Sequence, residues 1–165
     1  MTPAPEVRII CCGGTIDKVY FDAKNDYEVG QPQVNDILHE ANVFSACNVQ
    51  SLIQKDSLEI NDADRQLIHN AVALAEESHV LITHGTDTMV ETAKSLLDIA
   101  DKTIVVTGSL LPARFRNSDA LFNIGFAYGV TQTLPPGVYI AMHGRVFDPN
   151  RVRKDLAQNR FEDLI

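Results

Sequence analysis

Cysteine, positive charge and long apolar runs are all scarce in this chain, and each shortage excludes something. The three cysteines, Cys11, Cys12 and Cys47, are an odd number with no C-x-x-C pair. They suit neither a disulfide framework nor a zinc site. Lys and Arg total 14 against 22 Asp and Glu, a formal charge of −8. That balance argues against a nucleic-acid or membrane partner, since both reward basic patches. The one basic cluster, Arg151, Arg153, Lys154 and Arg160, reads either as a solvated surface or as part of a site. No apolar run approaches the length of a membrane span. The opening Met1-Thr2-Pro3-Ala4-Pro5-Glu6 lacks the basic and apolar regions of a signal peptide. A cytoplasmic location is the simplest expectation. No internal repeat, low-complexity tract or linker is visible, and the G-x-G-x-x-G spacing of a dinucleotide site is missing. No metal or cofactor is expected.

What is present is an alternation of short apolar runs with helix-like segments. Strands are expected at Val7–Cys12, Val49–Ile53, Val80–Thr83, Thr103–Thr107 and Gly137–Met142. Helices are expected at Val34–Ala41, after the N-cap Asn61, at Asp87–Ala100 and at 118–129. The second of these would bury Leu67, Ile68, Ala71, Val72 and Ala75; the third carries Met89, Ala93, Leu96 and Leu97. The last has Leu121, Phe122, Gly125 and Tyr128 in periodic positions. Residues 16–32 read as a long loop or loose hairpin. Strands apolar on both faces, alternating with helices, indicate a three-layer α/β/α fold with a mainly parallel, Rossmann-like sheet. At 165 residues the chain suits one domain, 1–165.

In such sheets ligands bind beyond the carboxyl ends of the strands. Those ends here carry Gly13-Gly14-Thr15, Lys55-Asp56-Ser57, His84-Gly85-Thr86-Asp87, Gly108-Ser109 and His143-Gly144. If they converge, they form one polar site rich in hydroxyls. Taken singly, each group has a plain structural reading. Gly13-Gly14-Thr15 is a turn, Asp87 an N-cap, His84 a satisfied buried histidine, and Tyr20 and Tyr27 are surface aromatics. Together they suggest more, because a Thr hydroxyl needs an activating partner and a strand-to-helix junction favours anionic ligands.

Gly13-Gly14-Thr15-Ile16 and His84-Gly85-Thr86-Asp87-Thr88-Met89 together resemble the asparaginase family, the bacterial-type asparaginases and asparaginase/glutaminases. Asp56-Ser57-Leu58-Glu59-Ile60-Asn61 looks like a third family element, and Thr107-Gly108-Ser109 with Ser118-Asp119-Ala120 and Asn123 like a fourth. Val146-Phe147-Asp148 leading to Val152-Arg153-Lys154 is similar to the segment with the family's catalytic lysine. The resemblance implies hydrolysis of L-asparagine, or of L-glutamine, through an acyl-enzyme on a threonine. It implies Thr15 as nucleophile and a triad-like group of Thr86, Asp87 and Lys154. It implies Ser57 and Asp87, with Thr86, Gly14 and Gly85, around the substrate. A lid tyrosine is also implied, either Tyr20, which lies nearer Thr15, or Tyr27, which fits the family's Tyr-x-Val-Gly pattern. Tyr20 is slightly favoured. Family members run to about twice this length, with a smaller C-terminal domain that sends an acidic residue across a subunit interface. The chain therefore reads as a short form or a truncation resembling the N-terminal domain. A homo-oligomer, dimer or tetramer, would be the simplest source of missing groups. Leu58 replaces a polar residue common in the family. The rival reading is a non-catalytic amino-acid-binding domain.

Overall fold

The computed structural model describes residues 3–45 and 47–164. The first strand, β1 (Val7–Gly13), alternates its side chains between two separate cores. Val7, Ile9 and Cys11 enter one; Ile10 and Cys12 enter the other. That period of two is what a strand covered on both faces requires. The same alternation holds in β5 (His79–Thr83), β6 (Thr103–Thr107) and β7 (Gly137–Met142).

Between β1 and β5 the chain forms the hairpin β2 (Lys18–Phe21) and β3 (Asp26–Val29), then α1 (Val34–Glu40) and β4 (Cys47–Lys55). The helix α2 (Asp62–Leu74) follows, started by a capping box between Asn61 and Asp64. After β5 come α3 (Met89–Lys94) and β6, then α4 (Ala120–Thr133), β7 and the antiparallel β8 (Arg145–Phe147). A last hairpin, β9 (Val152–Asp155) and β10 (Arg160–Asp163), packs its Val152 and Phe161 into the core of α2 and α3. The other core holds α1 and α4. The result is a three-layer α/β/α fold.

The main sheet runs β4-β1-β5-β6-β7-β8, parallel except for β8. Its chain order reverses at β1, which has β4 on one side and β5 on the other. In doubly wound sheets that reversal opens a crevice at the carboxyl ends, where ligands bind. Here it lies between the ends of β1 and β5. Among the described residues no helix is long and apolar enough to cross a membrane.

Three sequence expectations need correction. The third helix is short, Met89–Lys94 instead of Asp87–Ala100. Ser95 Oγ donates to the Thr92 carbonyl at 2.7 Å, a side-chain bond that competes with helix propagation. The chain then turns, burying Leu96 and Ile99 but leaving Leu97 exposed. On α2, Leu67 is exposed because it lies one helical step, about 100°, off the stripe that carries Ile68 and Val72. On α4 the inward residues are Asn123, Ile124, Ala127, Tyr128 and Val130, while Leu121, Phe122 and Gly125 face outward.

Candidate active site

Three strand ends meet through backbone so closely that only glycine fits. Gly14 sits at φ 89°, ψ −176°, a region essentially closed to other residues. Its N–H donates to the Lys55 carbonyl at the end of β4 (2.9 Å). A Cβ on Gly14 would lie 2.4 Å from the Cα and the N of Gly85. A Cβ on Gly85 would in turn lie 2.5 Å from Ser57 Cβ. Thr88 Oγ1 closes the set by donating to the Ser57 carbonyl (2.7 Å). The residues that follow the two glycines, Thr15 and Thr86, thus start from abutting backbone, and Ser57 lies against Gly85.

Each hydroxyl has a distinct setting. Ser57 and Thr86 are buried, and Thr15 is half-buried at the start of a single 3₁₀ turn, Thr15–Asp17. Lys154, on β9, sends its Nζ to Thr86 Oγ1 at 2.7 Å and to Asp87 Oδ1 at 2.5 Å. Its side chain is 10% exposed, that of Asp87 38%. Thr86, Lys154 and Asp87 are therefore one hydrogen-bonded unit, although 67 residues separate the last two. Arg151, Arg153 and Arg160, the rest of the basic cluster, are exposed. Arg153 pairs with Glu162 across the hairpin.

His84 lies under this unit, fully buried. Its Nδ1 donates to the Gly85 carbonyl (2.8 Å), which leaves Nε2 to accept from Thr92 Oγ1 (2.9 Å). Burial pushes its pKa down to about 4, with the nearby Arg65 charge adding to the drop. It is neutral and structural, joining the end of β5 to α3.

The ends of β6 and β7 form a second polar network. Asn123 Nδ2 donates to the Gly108 carbonyl and to Asp119 Oδ2, and its Oδ1 accepts from the His143 N–H. His143 Nε2 lies 2.8 Å from Asp119 Oδ2. Burial alone would raise the Asp119 pKa. The N–H groups of Leu110 and Leu111 and the His143 bond outweigh it and hold the carboxyl below its ordinary value.

The hairpin β2–β3 overhangs this edge. Tyr20 and Tyr27 are cross-strand partners in its ladder, with ring centroids 5.4 Å apart. The Tyr20 hydroxyl donates to Asn25 within the hairpin turn. Tyr27 packs against Phe115 (5.7 Å). It also lines a cleft of about 430 Å³ with Lys18, Glu28, Gln54, Asp56 and Glu59. Lys18 bridges to Asp56 at 2.8 Å, which holds the Asp56 carboxyl below its usual range. Leu58 is exposed.

Asp17, which closes the turn after Thr15, escaped the sequence reading. It is 2% exposed. Its carboxylate accepts from the Gln33 N–H (2.9 Å), and its carbonyl accepts from the Gly30 N–H (2.8 Å). Burial pushes its pKa up to about 7. Its burial depends on the returning strand of the hairpin, which no local pattern announces. Among the described residues no cluster of His, Cys, Asp and Glu is arranged to hold a metal.

Residues 6–162 match the family model for the N-terminal part of asparaginases. The chain belongs to the asparaginase family. An L-asparaginase of Thermococcus kodakarensis is 33% identical to this family member over 122 residues, covering 70% of this chain and 37% of that protein. A glutaminase-asparaginase of Pseudomonas fluorescens is 29% identical over 167 residues, covering 93% and 46%. A solved structure of the Thermococcus kodakarensis L-asparaginase superposes with a TM-score of 0.81 at 28% identity, covering 96% of this chain and 51% of that one. This asparaginase-family chain thus spans about half or less of the length of these relatives.

Proposed function

We propose that this chain carries an amidohydrolase site that converts L-asparagine to L-aspartate and ammonia. The observation that carries the reading is the meeting of Gly14 with Gly85, which sets Thr15 beside the bonded unit of Thr86, Lys154 and Asp87. Thr15 Oγ attacks the side-chain amide carbon, and free backbone N–H groups stabilise the oxyanion. The C–N bond breaks, a proton passes to the leaving nitrogen, and ammonia departs. Water then attacks the acyl-threonine ester and releases aspartate. Lys154 moves protons at Thr86 Oγ1. Ser57 holds the α-carboxylate. Asp87 meets the α-ammonium through Oδ2, since Oδ1 is occupied by Lys154.

The test is ammonia release from L-asparagine and L-glutamine. Thr15→Ala and Thr86→Ala should each lower the rate by at least about 100-fold. A near wild-type rate for either removes that residue from the mechanism. L-Glutamine is the alternative substrate, because one methylene changes discrimination by only about 1–3 kcal/mol.

One observation favours a second reading. Among the described residues Thr15 Oγ1 has no side-chain hydrogen-bond partner, so nothing activates it in this state. A domain that binds the amino acid without turnover would show heat of binding with L-asparagine in calorimetry and no ammonia. A cytoplasmic setting suits either reading, since Cys11, Cys12 and Cys47 are all free thiols, as in reducing compartments.

A further inference from the structure

The hairpin β2–β3 leaves and rejoins the body of the protein at one residue, Asp17. The outgoing strand begins at Lys18, directly after it. The returning strand ends at Val29, and the next N–H, that of Gly30, donates to the Asp17 carbonyl at 2.8 Å. Three residues on, the Gln33 N–H donates to the Asp17 carboxyl at 2.9 Å. Asp17 also closes the 3₁₀ turn that Thr15 opens, and its own N–H donates to the Gly14 carbonyl at 3.2 Å. One residue thus bonds the turn of the candidate nucleophile on one side and the base of the hairpin on the other. Beyond that junction the hairpin stands in water, with Tyr20, Phe21 and Tyr27 exposed. A two-stranded hairpin so little buried is marginally stable by itself, so its position over the site is set where it is anchored.

A plain core position would not carry a carboxyl, since a buried charge without a counter-ion is costly. Among the described residues Asp17 is in no ion pair. The Cys11 and Cys12 thiols of β1 lie near enough to feel its charge. Lys18 and Lys55, on β2 and β4, are held by Asp56 and Asp64. Arg114 donates from its Nε to Gln33 Oε1 at 3.0 Å, and the charges of α1, Asp36, His39 and Glu40, are exposed. An amide could accept from the Gln33 N–H equally well. What the carboxyl adds is an anchor whose strength depends on pH.

Resting on the amidohydrolase reading for the role of Thr15, we propose that Asp17 is a positioning residue of this site, a clamp that holds the base of the hairpin against the turn of Thr15. Amide hydrogen exchange of residues 18–29, corrected for its intrinsic pH dependence, tests the clamp without turnover. Asp17→Ala should speed that exchange at least about tenfold at pH 6, as for a buried N–H left without its partner, while β5 and β6 keep wild-type rates. Burial raises the carboxyl from 3.8 to about 7, so the closed hairpin keeps a proton that the open one releases. Wild-type exchange should therefore rise about tenfold from pH 6 to pH 8, and Asp17→Asn, which keeps the acceptor, should show no such rise. In ammonia release, Asp17→Ala should raise KM for L-asparagine at least about threefold, because only the closed fraction binds, and Asp17→Asn should stay near the wild type at pH 6. Exchange that speeds equally in the hairpin and the central sheet overturns the clamp. So does a hairpin indifferent to Asp17→Ala, or an Asp17→Asn profile that follows the wild type. A wild-type chain that releases no ammonia refutes the amidohydrolase reading instead, and the exchange pattern then decides the clamp by itself.

Discussion

At the residue scale, the candidate site depends on the absence of a side chain at Gly14. A methyl group there would be strained by the backbone and would collide with the backbone of Gly85, which cannot swing away as a side-chain tip can. Backbone strain of this kind costs about 1–3 kcal/mol, and relieving the collision would part β1 from β5 at their ends. Gly14→Ala should therefore do two things together. It should lower stability by at least about 2 kcal/mol in urea melts, and it should abolish ammonia release even where the protein is still folded. Gly125→Ala serves as the control, since its Cβ would meet nothing within 4 Å. If Gly14→Ala kept both stability and turnover, the abutting glycines would have no part in building the site.

At the element scale, the hairpin over the site explains why sequence could not separate its two tyrosines. Tyr20 and Tyr27 are directly paired across an antiparallel ladder, so both project from the same face. Their surroundings differ. The Tyr20 hydroxyl is held within its own turn by Asn25, whereas Tyr27 borders the cleft beside Asp56, one residue from Ser57. We therefore propose Tyr27, rather than Tyr20, as the residue that closes over substrate. Tyr27→Phe should lower kcat/KM for L-asparagine by at least about tenfold, the worth of one hydrogen bond to a charged or reacting group. Tyr20→Phe should change it by less than about threefold. The reverse ranking would return the role to Tyr20.

The same scale shows what was legible in the sequence. The central strands β1, β5, β6 and β7 could be read because both of their faces are apolar. The segments β2, β3, β8, β9 and β10 have only three or four residues each, too few for a pattern to emerge. Lys154 could be singled out only through the family resemblance, since its spacing from Asp87 carries no local signal. Thr86, Asp87 and Thr15 could be read because strand ends in a doubly wound sheet are where polar groups gather. The helical periodicity of α4 was legible, but which of its stripes faces inward was not, because both are apolar.

For the whole molecule, the buried ionisable groups oppose one another in pH. Asp17 is raised from 3.8 to about 7. Between those values the folded chain keeps a proton that the unfolded chain has released, so stability falls as pH rises through this window and is lowest above pH 7. His84 acts in the other sense. Lowered from 6.5 to about 4, it contributes stability above pH 6.5 that is lost as pH falls toward 4. The carboxyls of Asp56, Asp64, Glu77 and Asp119, all held below their ordinary values, also lose their contribution as pH falls. Asp17 is therefore the group that lowers stability as pH rises from about 4 to 7; the buried thiols of Cys11 and Cys12, also pushed up, act in the same sense only above about pH 9. Asn in its place would keep the acceptor for the Gln33 N–H and remove the charge. Asp17→Asn should match the wild type at pH 3.5 and gain steadily to pH 7, reaching at most about 4 kcal/mol above it. Urea melts from pH 3.5 to 8.5 check this. A constant difference across that range would mean that Asp17 does not titrate there and that its charge is held in the folded chain.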